Sequence, residues 1–213
     1  MKADEFNLKY IESSDLFEAK CANARTNSTL FYEIISEEII DCILWAEENK
    51  DLLCDLDEDI ITLFIVATLR GRFKNQFIVT HDSHNGGHTD IKIQAGSNIW
   101  LGEAKRRVNG NSYILDGFRQ LVDRYATGSP TCSTGGLFIY LVNESPKKKA
   151  TETLKDWKLY LEENFENLEF IESHQKSREG LSLITRHPHS TTGLPYTVHH
   201  HLFVLQHFPT DRK

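Results

Sequence analysis

Two carboxylates and an ammonium group converge on one short stretch of this chain. In GGHTDIKIQAGSNIWLGEAKRR, Asp90 precedes the segment Ala95-Gly96-Ser97-Asn98, and Glu103 and Lys105 follow it. That segment reads as a tight hairpin turn, with glycine able to take a positive φ. A two-residue Gly-Ser loop pairs Ala95 with Asn98 and, counting back along both strands, Asp90 with Glu103. Cross-strand partners have Cβ atoms about 4.5–5.5 Å apart. Carboxylates that close repel each other unless a cation lies between them. Lys105, two residues past Glu103, points to the same face, and the same count sets His88 opposite Lys105. Ile99 and Leu101 share that face, while Trp100, Gly102 and Ala104 line the other. Both faces of the strand therefore read as buried. Charged side chains are almost never buried alone, so three of them at the end of an apolar strand read as a site.

The surrounding elements must hold these groups in place. A helix is expected over 29–48, capped by Asn27 or Ser28. A second, over 56–69, is apolar nearly all round after Asp59 and is expected to be buried. The period then changes to strand-like over 74–82, 88–94 and 98–107. DGFRQLVDRYA (116–126) returns to helix, and GGLFIYLVN (135–143) is a continuous apolar run expected as a central strand. A helix over 151–165 and strands near 168–173, 181–186 and 196–206 follow, the last two pairing across HPHSTTGLP. This order predicts an α/β fold, a mixed central β-sheet flanked by helices, in one domain over 1–213.

Asp90 with Glu103-Ala104-Lys105 resembles the D…(D/E)xK signature of the PD-(D/E)xK nuclease superfamily, the restriction-endonuclease-like fold. The resemblance covers about 55–143: helix, hairpin with Asp and ExK, GFRQL helix, buried strand. No proline precedes Asp90, a departure from the name pattern. The resemblance implies that Asp90 and Glu103 hold Mg²⁺, with Mn²⁺ as a substitute, and that Lys105 positions or activates the attacking water. It also implies an upstream helical glutamate and a glutamine on the next helix, which adds Glu58 to the metal-holding and catalytic residues and Gln120 to the catalytic ones. Glu38 competes with Glu58, and Asp55-x-x-Glu58 equally fits a capping box. The implied activity is hydrolysis of nucleic-acid phosphodiesters, above all by a DNA endonuclease of a bacterial restriction, antiphage defence or toxin system. A non-catalytic nucleic-acid-binding or partner subunit on the same fold is the alternative. Target selection would come from the N-terminal helices and the C-terminal helix and hairpin that decorate this core, from a homodimer or from a partner protein.

Arg106 and Arg107 extend the lysine into a basic run that could contact phosphates. Arg124 lies one turn beyond Gln120 on the polar side of its helix. His88 either contacts phosphate or packs beside the carboxylates. The remaining histidines, His187, His189 and His199-His200-His201 among them, lack a tetrahedral ligand spacing and are expected as polar rims of strand ends. The 213 residues carry a formal net charge of −7, which excludes a generally basic nucleic-acid coat but not a local basic groove. Four scattered cysteines without a CxxC suggest a reduced, cytoplasmic setting. No apolar run approaches the roughly 20 residues of a membrane span, and the first residues, MKADEFNLKY, do not read as a secretory signal.

Overall fold

The computed structural model describes residues 13–84, 88–172 and 176–209. Helices α1 (Ser13–Ala24), α2 (Ser28–Glu48), α3 (Lys50–Leu53) and α4 (Glu58–Phe73) precede a β-meander of β1 (Ile78–His84), β2 (His88–Ala95) and β3 (Asn98–Arg106). Helix α5 (Asn111–Arg119) runs into a π-helical turn, Gln120–Tyr125, before β4 (Thr134–Leu141). Then come α6 (Ala150–Asn164), β5 (Glu169–Ile171), a 3₁₀ turn (Lys176–Arg178), β6 (Ser182–Pro188) and β7 (Pro195–Val204). The seven strands form one sheet in the order β1-β2-β3-β4-β7-β6-β5. The central β3, β4 and β7 are parallel, and an antiparallel pair flanks them on each side. The expected α/β architecture, a mixed sheet flanked by helices, is what the chain forms.

Alternation along the strands builds two cores. Trp100, Ala104, Phe138, Tyr140 and Phe203 face α1, α2 and α4. Leu101, Leu137, Ile139 and Leu202 face α5, its π turn and α6. β4 is buried almost throughout, as its unbroken apolar run predicts. Asn27 caps α2, its side chain accepting from the Leu30 N–H at 3.2 Å. α4 stops where Lys74 enters the left-handed region at φ 46°. β6 and β7 pair as expected.

Other expectations need correction. α4 extends to Phe73, and one of its faces is open, with Ile60 50% and Leu63 48% exposed. α5 begins at Asn111, five residues before its expected start. Helices α1 and α3 carry no clear periodic signal and were not anticipated. His187, His189, His200 and His201 are buried rather than rim residues. The Trp157 indole N–H donates to His200 Nδ1 at 3.1 Å, so the ring carries its proton on Nε2 and donates to Thr185 Oγ1 at 2.8 Å. Burial lowers its pKa to about 3, with His199 and His187 adding to that, and burial lowers His199 to about 4.

All four cysteines are buried free thiols. A clamp joins distant parts of the chain: Arg178 donates to both Glu47 oxygens, at 2.8 and 3.0 Å, and to the Leu202 carbonyl. Glu47 also accepts from the Val204 N–H at 2.9 Å. Among the described residues no helix is long and apolar enough to cross a membrane.

Candidate active site

The β2–β3 ladder runs from Ala95–Asn98 to Ile91–Gly102, the register the Gly-Ser turn dictates. The next pair is where the ladder gives way. Instead of a backbone bond, Asp90 Oδ2 accepts the Ala104 N–H at 2.8 Å. The Thr89 hydroxyl donates to the Gly102 carbonyl at 3.2 Å. Asp90 is thus beside Glu103, tied by its side chain to the strand that carries Glu103 and Lys105.

Glu103 is 2% exposed. Its Oε1 accepts from Lys105 Nζ at 2.7 Å, while Oε2 is buried with no hydrogen-bond partner. Lys105 Nζ also donates to the Ala104 carbonyl at 2.9 Å and to Glu58 Oε1 at 3.4 Å. Burial pushes the Glu103 carboxyl up to about 8, and the Asp90 charge adds to this against the pull of Lys105. Burial likewise raises Asp90, opposed by Lys105 and by the Ala104 N–H. For Lys105, burial alone would lower the pKa. The charges of Glu103, Glu58 and Asp90 outweigh it and hold the ammonium above its ordinary value.

Of the two competing upstream glutamates, the structure brings Glu58 to this cluster. Glu38, on α2, pairs instead with Arg72 of α4. The capping box does not form: α4 is preceded by Asp57 at the N-cap position, and Asp55 accepts from Asn143 Nδ2 at 2.8 Å. That contact and the Asn143 N–H to Cys54 carbonyl bond at 2.9 Å fasten the α3–α4 loop to the chain leaving β4. Glu58 Oε2 accepts the Arg106 N–H at 2.6 Å, and the Tyr113 hydroxyl reaches Oε1 at 3.2 Å. Both oxygens of Glu58 are therefore engaged.

The other expected residues fall outside this core. Gln120 opens the π turn, half-buried, with no hydrogen bond to Asp90, Glu103 or Lys105. Arg106 is held by Asp57 at 3.1 Å and Glu144 at 2.7 Å, so its guanidinium is occupied by carboxylates. The Arg107 Nε is buried without a partner, and burial lowers that group's pKa. Arg124 is exposed, its guanidinium 5.8 Å from the Tyr125 ring. The backbone of His88 pairs with that of His84; its side chain lies outside the described residues.

Sequence reasoning missed two contributors on α5. The Tyr113 ring lies under Lys105, 5.4 Å from Nζ to centroid. Gly117 packs on the lysine stem so closely that a Cβ there would sit 2.7 Å from Lys105 Cγ and 2.8 Å from Cε. The two are four residues apart, hence on one helix face. That spacing was readable only with α5 starting at Asn111.

No family model, curated protein or solved structure matches the chain. What the site can do rests on its own atoms. Among the described residues no group of three or more His, Cys, Asp or Glu gathers as a metal-ligand set. The pair Asp90 and Glu103 does offer hard oxygens, including the unpartnered Glu103 Oε2. One or two carboxylates, with waters and substrate phosphates, are a common provision for Mg²⁺. Zn²⁺ would call for three or four nitrogen, sulfur or oxygen ligands. Beside the cluster, Glu58 and Tyr113 border a polar cleft of about 510 Å³ that Asp57, Asp59, Arg106 and Glu144 also line.

Proposed function

We propose that the chain is a Mg²⁺-dependent nuclease of the restriction-endonuclease-like kind, cutting DNA, with Mn²⁺ able to substitute. The observation that carries the reading is the buried, unpartnered Oε2 of Glu103 beside Asp90. A carboxyl oxygen removed from water needs a cation, a donor or a proton, and a bound metal ion would replace the proton that burial keeps on Glu103. Asp90 and Glu103 would hold the ion, which when bound would polarise the phosphate and acidify its water. Lys105 would act as an ammonium donor to the phosphate or its water rather than as the base, because its carboxylate neighbours keep it protonated. Glu58 would set the position of Lys105 and of the Arg106 backbone, held in turn by Tyr113. The cleft carries more carboxylates than cations, so a polyanion would approach only with a cation in place.

A cytoplasmic role in restriction, antiphage defence or a toxin system suits the free thiols and the DNA substrate. The Lys105–Glu103 contact favours one alternative, a non-cutting nucleic-acid-binding or partner subunit on the same fold, since the two charges already satisfy each other.

Plasmid, single-stranded DNA and RNA incubated with the chain in Mg²⁺, Mn²⁺ or EDTA separate these. Cleavage of DNA that needs the metal, lost in Glu103→Ala and Asp90→Ala proteins that still fold, is the expected result. No cleavage and no metal-dependent rise in melting temperature would overturn the nuclease reading, and retention of the uncut DNA in a gel-shift assay would then favour the non-cutting subunit.

A further inference from the structure

A helix that is apolar nearly all round is normally buried on every side. α4 is such a helix, yet along one stripe Asp59, Ile60, Leu63, Ala67, Arg70 and Gly71 are open to solvent, as is Lys74 at the cap just past its end. On the adjoining α2, Trp45 stacks on Phe64 of α4 with ring centroids 4.4 Å apart, and is itself 39% exposed. Leu44 and Leu52, on α2 and α3, are exposed as well. Exposed apolar side chains on adjoining helices of this kind mark an interaction surface.

Two features say what covers it. The stripe is acidic at its first turn, with Asp59, apolar through Ile60 and Leu63, small at Ala67 and Gly71, and basic at Arg70 and Lys74. Acid at the start and base at the end also suit the dipole of a lone helix, but the apolar and small residues between them do not follow from that. Gly71 is the sharper observation. It lies inside the helix, and a Cβ added there would meet nothing within 4 Å. Glycine within a helix, here in its last turn, costs stability relative to alanine, and among the described residues no contact requires it.

We propose that this face is a homodimer interface in which two α4 helices pack antiparallel about a twofold axis near Ala67. Antiparallel pairing brings Asp59 of each copy to Lys74 of the other. It sets the bulky Leu63 of one copy against Gly71 of its mate and the two Ala67 residues against each other, where small side chains permit close approach. The two interfaces are then the same patch used twice, as closed C₂ symmetry requires. This inference is independent of the nuclease reading.

Sedimentation velocity of the full chain at micromolar concentrations is the test. The wild type is expected at dimer mass. Leu63→Glu and Gly71→Leu are each expected to give monomers with an unchanged circular-dichroism spectrum. Asp59→Lys and Lys74→Glu are each expected to weaken the dimer about tenfold, and the two together to restore it, since paired charges set register across an interface. A monomeric wild type overturns the proposal. So does a dimer that Leu63→Glu leaves intact, or a double charge swap that binds no better than the single ones. A monomeric wild type that loses thermal stability on Leu63→Glu would assign the cover to the chain's own segments.

Discussion

Removing one partner from a buried ion pair normally costs about 3–5 kcal/mol, because the other charge is stranded. Lys105→Met keeps the aliphatic stem and deletes the ammonium, and it is expected to cost much less at pH 6. Glu103, already pushed up to about 8, takes a proton instead of staying charged. The sign of the pH dependence follows. A carboxyl whose folded pKa lies above its unfolded value favours the folded state while protonated, and that advantage is lost as pH rises from about 4.5. Urea unfolding should therefore show stability falling from pH 5 to about 8 in both proteins, with the fall continuing toward pH 9 in Lys105→Met, where the ammonium no longer opposes the raised state. A wild type with no such fall between pH 5 and 8 would mean that Glu103 is not held in its raised state by burial. Asp90 and Glu103 were legible because a two-residue turn fixes the pairing count, and Lys105 because strands alternate. The role of Glu58 was not, since it depends on which helix start reaches the end of β3.

At the scale of elements, α5 does the positioning that the expected Gln120 does not. Its opening turn brings Tyr113 under Lys105, and Gly117 admits the lysine stem. Gly117→Ala sets two effects against each other. Alanine improves a helix interior by up to about 1 kcal/mol, while the new Cβ invades the space of Lys105 Cγ and Cε. The helix is buried there, so the collision is expected to win locally: melting temperature changes by a few degrees at most, while the proposed metal-dependent cleavage would fall at least about tenfold. Normal cleavage would show that the lysine stem relocates freely. Gln120 entered the expected set by resemblance and not by its place on the helix; in the structure it opens the π turn, where α periodicity ends. Most strands were legible because β-branched and aromatic runs lie between clear turns. The open face of α4 was not, because apolar composition alone does not say whether the cover comes from the same chain.

For the whole molecule, the Arg178 clamp joins the 3₁₀ turn, α2 and β7, closing a loop of 131 residues in sequence. Arg178→Met should destabilise by about 3 kcal/mol, toward the lower end for a buried pair because Glu47 keeps some water contact. Glu47→Leu combined with Arg178→Met should recover part of that in a denaturant titration, though Val204 N–H and the Leu202 carbonyl lose partners. A single variant as stable as the wild type would mean that the sheet is held to α2 by apolar packing alone. The buried thiols carry a different consequence. Burial raises Cys21 to about 11 and Cys42 to about 12, so neither is a ready nucleophile in the folded chain. Cys21 is on α1, Cys42 on α2, Cys54 at the end of α3 and Cys132 in the loop before β4. Alkylation by an excess of reagent then becomes a four-channel stopwatch: each sulfur is tagged only when its own segment opens. Peptide mapping of the tags over time would order the loosening of the helical layer against that of the sheet in unmodified wild-type protein.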